Sequence, residues 1–443
     1  MKQLYVPDKV FLLCSDGMKK QPIKVTSQQT VEIAGGRLAA TKEDRTNGNF
    51  MCGKMLVGGA IVGAAVAAVT ISTGGIGGII LGAIGGTLSG AALGTAVSMA
   101  PCFCALATMP NDWIGYHPKV TFEEHNALLE NATLPCILGG KIEIIYFEEF
   151  ADLRLSTIRK NAVMEAGIQA LKVTAFLRFP MTFLIVYALA NVGLQYYTGP
   201  HANDFKTYLF GFNHPHEGFK VLTPIKSKKG NYSISDNTSR IQQYLTNSKY
   251  LPNIDAPYQG DTSQFLEHVQ PDMPEDDDTR LEGTQGNAFR HTLWQADITN
   301  QLGSELSKEV GDSHEINTNS EFKPEGFDSL TDADEYIDLQ NNIIGRGIGS
   351  KYSNAFPNEL ADKVLDYYHE HGLWEAKKTE DGKWQAVQTK LPDEQYNDLK
   401  QAVNLMNRYG YYENTFDFVL RKNLKVNEED IAWFKTIPKA KEY

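Results

Sequence analysis

Leu134–Pro–Cys–Ile–Leu–Gly–Gly–Lys–Ile–Glu–Ile–Ile145 is where the chain changes character. Its Gly139–Gly140 pair is a turn signal. Lys141–Ile–Glu–Ile–Ile145 then alternates with a period of two, the pattern of a strand with a buried face. Upstream the same grammar recurs in short pieces: Lys24–Val–Thr26, Val31–Glu–Ile33, the Gly35–Gly36 turn and Leu38–Ala–Ala40. Pro22–Ile–Lys–Val–Thr26 followed by Val31–Glu–Ile33 is echoed by Pro118–Lys–Val–Thr121 followed by Ala127–Leu–Leu129. Repeated hairpins of this size predict a small all-β unit over residues 1–150 that folds back on itself.

An insert over residues 55–100 interrupts that unit. Two nearly uncharged Gly/Ala-rich stretches, Met55–Ile71 and Ile76–Met99, flank the break Ser72–Gly75. Each approaches the roughly 20 residues that cross a bilayer core. Gly59/Gly63 and the series Gly78, Gly82, Gly86, Gly90, Gly94 put small residues on one helical face, where helices approach closely. The insert reads as a membrane-active helical hairpin, or as a Gly/Ala hairpin buried in a soluble assembly.

Beyond the β unit the period becomes helical. Residues 151–279 form a connecting region: Phe150–Lys172 is amphipathic, and Ala175–Leu194 is apolar, with Arg178 its one charge and Pro180 an interruption. That second stretch is a third membrane-seeking element or a core helix. The acidic run Pro274–Asp278 reads as a solvated linker. Residues 280–443 are expected to form an all-α domain, with helices at Gln285–Leu302, Glu359–His371, Asp393–Arg408 and Glu428–Phe434 and N-caps at Asp393 and Asn427. At 443 residues the chain is multidomain.

A net charge of -12 argues against a stable nucleic-acid partner, because phosphate binding needs clustered Lys and Arg. The start holds no apolar run before a small-residue cleavage site, so the chain is expected to stay in the cytoplasm until another route exports it. Its five cysteines all lie in the first third, too few and too localised for a disulfide framework.

Leu12–Leu–Cys–Ser–Asp–Gly17, Val31–Glu–Ile–Ala–Gly–Gly–Arg–Leu–Ala–Ala40, Met51–Cys52, Ala100–Pro–Cys102, Trp113 and Leu134–Pro–Cys–Ile–Leu–Gly–Gly–Lys–Ile–Glu–Ile144 together resemble the PAAR-like family of type VI secretion spikes. The resemblance covers the first third of the chain and implies a short β cone that caps a trimeric spike protein. It also implies a zinc ion near the apex, with Cys14, Cys52, Cys102 and Cys136 at the family's cysteine positions and Cys104 and His117 as spares. From the residues alone these are equally buried free cysteines. The insert departs from the compact pattern and looks like the segments that carry effectors across a target-cell membrane.

Three polar clusters stand out in the last domain: Asn287–Ala–Phe–Arg–His–Thr–Leu–Trp–Gln–Ala–Asp297, Gly311–Asp–Ser–His–Glu315, and Tyr336–Ile–Asp–Leu–Gln–Asn–Asn–Ile–Ile–Gly–Arg346. They resemble a helical domain at the C-termini of bacterial polymorphic toxins. Chemically they fit a hydrolytic site. His291 or His314 serves as general base, Asp338 or Glu315 orients it or joins a metal, and Arg290 or Arg346 holds an anion. Asn341 and Asn342 position substrate or cap a helix. No GxSxG elbow, P-loop or HExxH is present, and this domain contains no cysteine nucleophile.

The expected function is a spike-tip cargo effector with a toxic, hydrolytic C-terminal domain. The alternatives are membrane permeabilisation by the hairpin or a non-toxic structural tip. The expected partners are the spike, a cognate immunity protein, a chaperone for the apolar hairpin and the target-cell membrane. Site of action and substrate, whether phospholipid, peptidoglycan precursor or nucleic acid, stay open.

Overall fold

The computed structural model describes residues 3–46, 48–70, 103–195, 197, 202–221, 234–246 and 282–440. Contacts group the chain into two units, residues 1–187 with 417–443, and residues 188–416. The first unit contains short strands and the remainder is mostly helical.

The first unit carries β1 (Phe11–Cys14), β2 (Gln21–Pro22), β3 (Glu32–Ile33), β4 (Arg37–Leu38), α1 (Gly53–Thr70), α2 (Phe103–Thr108), β5 (Thr121–Phe122), β6 (His125–Asn126), β7 (Thr133–Pro135) and β8 (Lys141–Ile145). Strands β2-β1-β8-β7 form an antiparallel sheet with Leu12 opposite Ile144 and Cys14 opposite Ile142. Successive Leu12 and Leu13 are both buried, so this sheet is covered on two faces.

Beside it three extended segments close on themselves. Val6 N donates to Leu128 O (3.3 Å), Leu128 N to Ala40 O (2.9 Å), and Ala40 N to Val6 O (2.7 Å). The cyclic bonding leaves no open edge there. Two matched hairpins, β3–β4 and β5–β6, are each entered by the same turn, and they match Glu32–Ile33 with Thr121–Phe122 where the sequence echo paired Val31–Ile33 with Ala127–Leu129. Gln28 Oε1 accepts from Thr30 N and Val31 N; His117 Nδ1 accepts from Lys119 N and Val120 N. His117 is therefore a turn residue in this fold. Asp44, fully buried, accepts from Thr26 N, Ser27 N, Ser27 Oγ and Thr41 N, and its carbonyl takes the Trp113 indole N–H (2.9 Å).

The first arm of the insert is helical as α1, and it packs through Val57 and Ala60 on Ala166 of α3 (Glu148–Arg178). The second arm and Cys102 lie outside the described residues. Among the described residues no helix is long and apolar enough to cross a membrane. After α3 the chain breaks at Phe179 and restarts as α4 (Pro180–Gln195), since proline lacks the N–H that would continue the first helix.

The second unit comprises α5 (Ala202–Asn213), α6 (Pro215–Val221), α7 (Ile234–Thr246), α8 (Gln285–Leu302), α9 (Ser304–His314), α10 (Leu330–Lys351), α11 (Pro357–His371), β9 (Leu373–Lys378), β10 (Trp384–Thr389), α12 (Asp393–Asn404) and α13 (Glu413–Phe418). Helix α8 is its axis. Phe289, Leu293 and Ala296 enter a core with Leu360, Val364 and Leu399. Trp294 and Ile298 enter a separate core with Phe210, Ile234 and Val310. The polar residues between those faces, Asn287, Thr292, Gln295 and Asp297, are buried as well.

Helix α10 lies against α8 through glycines. A Cβ at Gly345 would stand 2.3 Å from Thr292 O, and one at Gly349 would stand 2.3 Å from Ala296 O. The domain is not all-α: β9 and β10 form an antiparallel hairpin through the Asp381–Gly382 turn. Asp393 is the first helical residue of α12, the cap position falling to Pro392.

The chain end returns to the first unit. After a π turn (Val419–Leu424), Asn427 caps α14 (Glu428–Lys435) through Glu429 N. Trp433 Nε1 donates to Ala34 O (2.9 Å), the Arg37 guanidinium lies 4.0 Å from the Trp433 ring, and Phe434 meets Tyr146 and Phe147. Ala440 N donates to Gln3 O (2.6 Å). The sequence boundary at 280–443 groups this segment with the helices; its aromatic contacts lie in the first unit.

Asp297 is buried, its Oδ1 accepting from Gln301 Nε2 and its Oδ2 without a hydrogen-bond partner among the described residues. Burial pushes this carboxyl up to about 6 from 3.8. The folded state thus holds a proton that the unfolded chain releases, and stability present in acid is lost as pH rises toward 6. Asp297→Asn is expected to stabilise the second unit by about 1–3 kcal/mol at pH 8 and to give no gain at pH 4, read by calorimetry.

Candidate functional site

The three polar clusters come from α8, from the α9 C-terminus and the residue after it, and from α10. Thr284 caps α8 by accepting from Asn287 N, and Ser329 caps α10 by accepting from Asp332 N, which sets where each helix starts. From those starts Asn287 and His291 stand one turn apart on α8, while Asp334, Asp338 and Asn342 stack at four-residue spacing on α10. Gly311 lets α9 approach, since a Cβ there would lie 2.8 Å from Gln295 Nε2 and 3.3 Å from Asn342 Nδ2. That approach delivers Glu315.

Ligand atoms of His291, Glu315 and Asp338 lie within 4.8 Å of one another, the one such group found among the described residues. His291 Nε2 is 3.2 Å from Asp338 Oδ2 and 3.1 Å from Arg290 Nη2. Arg290 Nη2 also donates to Asn287 Oδ1 (2.9 Å), whose amide donates to Asp334 Oδ1 (3.1 Å) and Asp338 Oδ1 (3.2 Å). Asn342 Nδ2 donates to Glu315 Oε1 (3.4 Å). Lys206 of α5, itself buried, donates to the carbonyls of Glu315 (3.1 Å) and Ile316 (2.7 Å) and holds the loop in place.

Burial dominates the electrostatics. It raises Asp338 and Glu315 well above the carboxylate range, with neighbouring acids adding to it. It raises Asp334 to about 7, helped by Glu282. Burial and then the Arg290 charge hold His291 well below its ordinary value. Both shifts work against full charge separation in the His291–Asp338 contact.

Of the seven residues expected from sequence, the structure brings His291, Glu315, Asp338, Asn342 and Arg290 together. His314, exposed at the end of α9 and edge-on to Trp294 at 4.9 Å between ring centroids, stands near enough to Arg290 and His291 for their charges to interact. Arg346 donates to Gln295 Oε1 (3.1 Å), while Glu335 accepts instead from Ile316 N and Asn317 N. Asn341 pins β9 by bonding both N and O of Trp374. Asn287 and Asp334 join the site unforeseen, although their i, i+4 spacing to His291 and Asp338 was a readable signal. Lys206 carries no sequence signal at all.

In the first unit Cys14, Cys52 and Cys136 stand near enough for their thiolates to repel, and burial chiefly raises the Cys14 and Cys52 thiols. Cys104 Sγ accepts from Phe50 N (3.3 Å) and meets Asn49 Oδ1 (3.3 Å). A Cβ at Gly140 would lie 2.8 Å from Cys14 Sγ, so glycine lets the backbone pack closely against that buried sulfur. The thiol donors suit zinc in kind.

No curated protein and no solved structure matches the chain. The thiol group falls within residues 6–147, which match the family model described as a domain of unknown function (DUF4280), and the His291–Glu315–Asp338 cluster falls within residues 273–372, which match a second, a domain of unknown function (DUF6973).

Proposed function

We propose that the chain is a cargo effector of a type VI secretion spike, its first unit a PAAR-like tip and its second a hydrolase carried into competing bacteria. The observation that carries the reading is the buried convergence of His291, Glu315, Asp338 and Arg290, in a chain whose residues 6–147 match DUF4280, a family of PAAR-like character. The cyclic bonding of Val6, Ala40 and Leu128 supports a small prism or cone that seats on a trimeric spike. Arg290, charged beside a buried polar cluster, is placed to stabilise an anion developing during hydrolysis. The protein waits in the producer's cytoplasm, with a chaperone covering its Gly/Ala hairpin. It leaves with the spike, meets the target-cell membrane, and is neutralised in kin by an immunity protein.

Zinc would be held by Cys14, Cys52 and Cys136 together with Cys102, as a structural staple for a unit with little core. Purified full-length protein is expected to carry zinc, and Cys52→Ser to lose it and lower the first unit's melting temperature by several degrees. A metal-free protein whose melting is untouched by that change removes zinc from the reading.

A second reading is favoured by one observation. Met181, Leu184, Ile185, Val186, Leu189 and Val192 of α4 are all exposed, which suits a membrane-permeabilising effector. The deciding experiment is induced expression of the full chain in a bacterium lacking the immunity protein, directed in turn to cytoplasm and periplasm. Growth arrest supports an effector, and harmless expression in both compartments leaves only a structural tip.

A further inference from the structure

We infer that His291, Glu315 and Asp338 form the protein face of a divalent-cation site in the second unit. The inference deepens the hydrolase reading, on which its catalytic sense rests, while cation binding is measurable without catalysis.

Geometry comes first. One imidazole nitrogen and two carboxylate oxygens, from three separate segments, lie within 4.8 Å of one another. Ligands on an ion with bonds near 2.1 Å stand about 3.4 Å apart in a tetrahedral arrangement, so small side-chain rotations close the set. The site is also short of partners. Asn342 is 1% exposed; its amide nitrogen reaches Glu315 Oε1, yet its Oδ1 has no hydrogen-bond partner among the described residues. A buried carbonyl oxygen beside a carboxyl and an imidazole is a group that an oxophilic cation would satisfy.

The surroundings are rich in oxygen donors: Asp334, Glu335, Glu315 and Asp338 neighbour one another, with Arg290 and Lys206 beside them. His291 sharpens the point. A neutral imidazole offers one in-plane lone pair, and Nε2 faces both the Arg290 guanidinium at 3.1 Å and an Asp338 oxygen at 3.2 Å. Two oxygens and one nitrogen suit Mn²⁺ or Zn²⁺ better than Ca²⁺, which prefers oxygen alone. Bound there, the ion would act as a Lewis acid within reach of Arg290.

Mn²⁺ is the probe, because it disfavours the thiols of the first unit. Full-length protein stripped with chelator is titrated with Mn²⁺, and the free ion is followed by electron paramagnetic resonance. One saturable site per chain is expected. Asp338→Asn and Glu315→Gln are each expected to weaken it at least tenfold, and Cys14→Ser to leave it unchanged. Both variants replace a buried carboxyl by an amide of the same shape, so their metal-free melting is expected to match or exceed that of the parent, which separates lost ligation from misfolding. Absence of saturable binding, or equal affinity in parent and both variants, overturns the inference. A chain that kills through His291 yet binds no Mn²⁺ refutes the cation while the hydrolase reading stands. One that binds Mn²⁺ without killing does the reverse.

Discussion

His291→Ala in the full chain is expected to abolish growth arrest, restoring plating efficiency by about 100-fold or more, in line with the loss of a group at a reacting centre. Three facts concentrate the effect on this ring. It touches both Asp338 and Arg290, it lies in the cluster that gathers Glu315, and burial keeps it neutral so that its lone pair is available. Among the described residues no other histidine lies in that cluster. His369, stacked on Tyr396 at 4.1 Å between centroids and bonded to Asp393, is the control, and its alanine variant should kill as the parent does. His291→Gln tests whether the effect is chemical, since it preserves bulk and a hydrogen-bonding end but titrates nothing. A soluble, folded Gln variant that is harmless supports chemistry. A Gln or Ala variant that still kills and also releases dye from anionic vesicles assigns the damage to the exposed apolar face of α4.

Gly345→Val is expected to give the largest loss of stability in the molecule, about 3 kcal/mol or more, as overpacking in a site closed by backbone on the other side. The new Cβ would stand 2.3 Å from Thr292 O and 2.8 Å from Gln295 Cβ, so α8 and α10 must part before the side chain fits. Parting them also separates His291 from Asp338, and activity should fall with stability. Gly347, two residues on, has open space around its Cβ position. Gly347→Ala should stabilise the helix by up to about 1 kcal/mol, because only backbone entropy changes. Hydrogen exchange of α8 and α10 amides separates these outcomes from melting of the first unit. Equal protection in the parent and Gly345→Val would refute the tight seam.

Helix α8 was legible to the residue, because its apolar spacing is long and ends in a glycine. The pattern did not show that two of its faces enter separate cores, the second filled by Trp294 and Ile298. The β9–β10 hairpin was missed even though Asp381–Gly382 is a strong turn signal, since the surrounding helical periodicity outweighed one dipeptide. His291, Glu315 and Asp338 were legible as residue types suited to hydrolysis, but their meeting depends on Gly311 and Gly345, whose role is the absence of a side chain. Lys206 acts through backbone carbonyls far along the chain, which leaves no trace in local sequence. The Cys14 group was visible because its members lie in ordered turn motifs.

The bonds between Gln3 and Ala440, and the seat of Trp433 against Ala34 and Arg37, give the protein a genetic consequence. Residues 188–416 are, in chain order, a cassette flanked by the two pieces of the first unit. Exchanging such a segment by recombination takes two crossovers, one at each seam, and a stop codon after Phe416 would strip aromatic cover from Tyr146 and Phe147 rather than merely shorten the second unit.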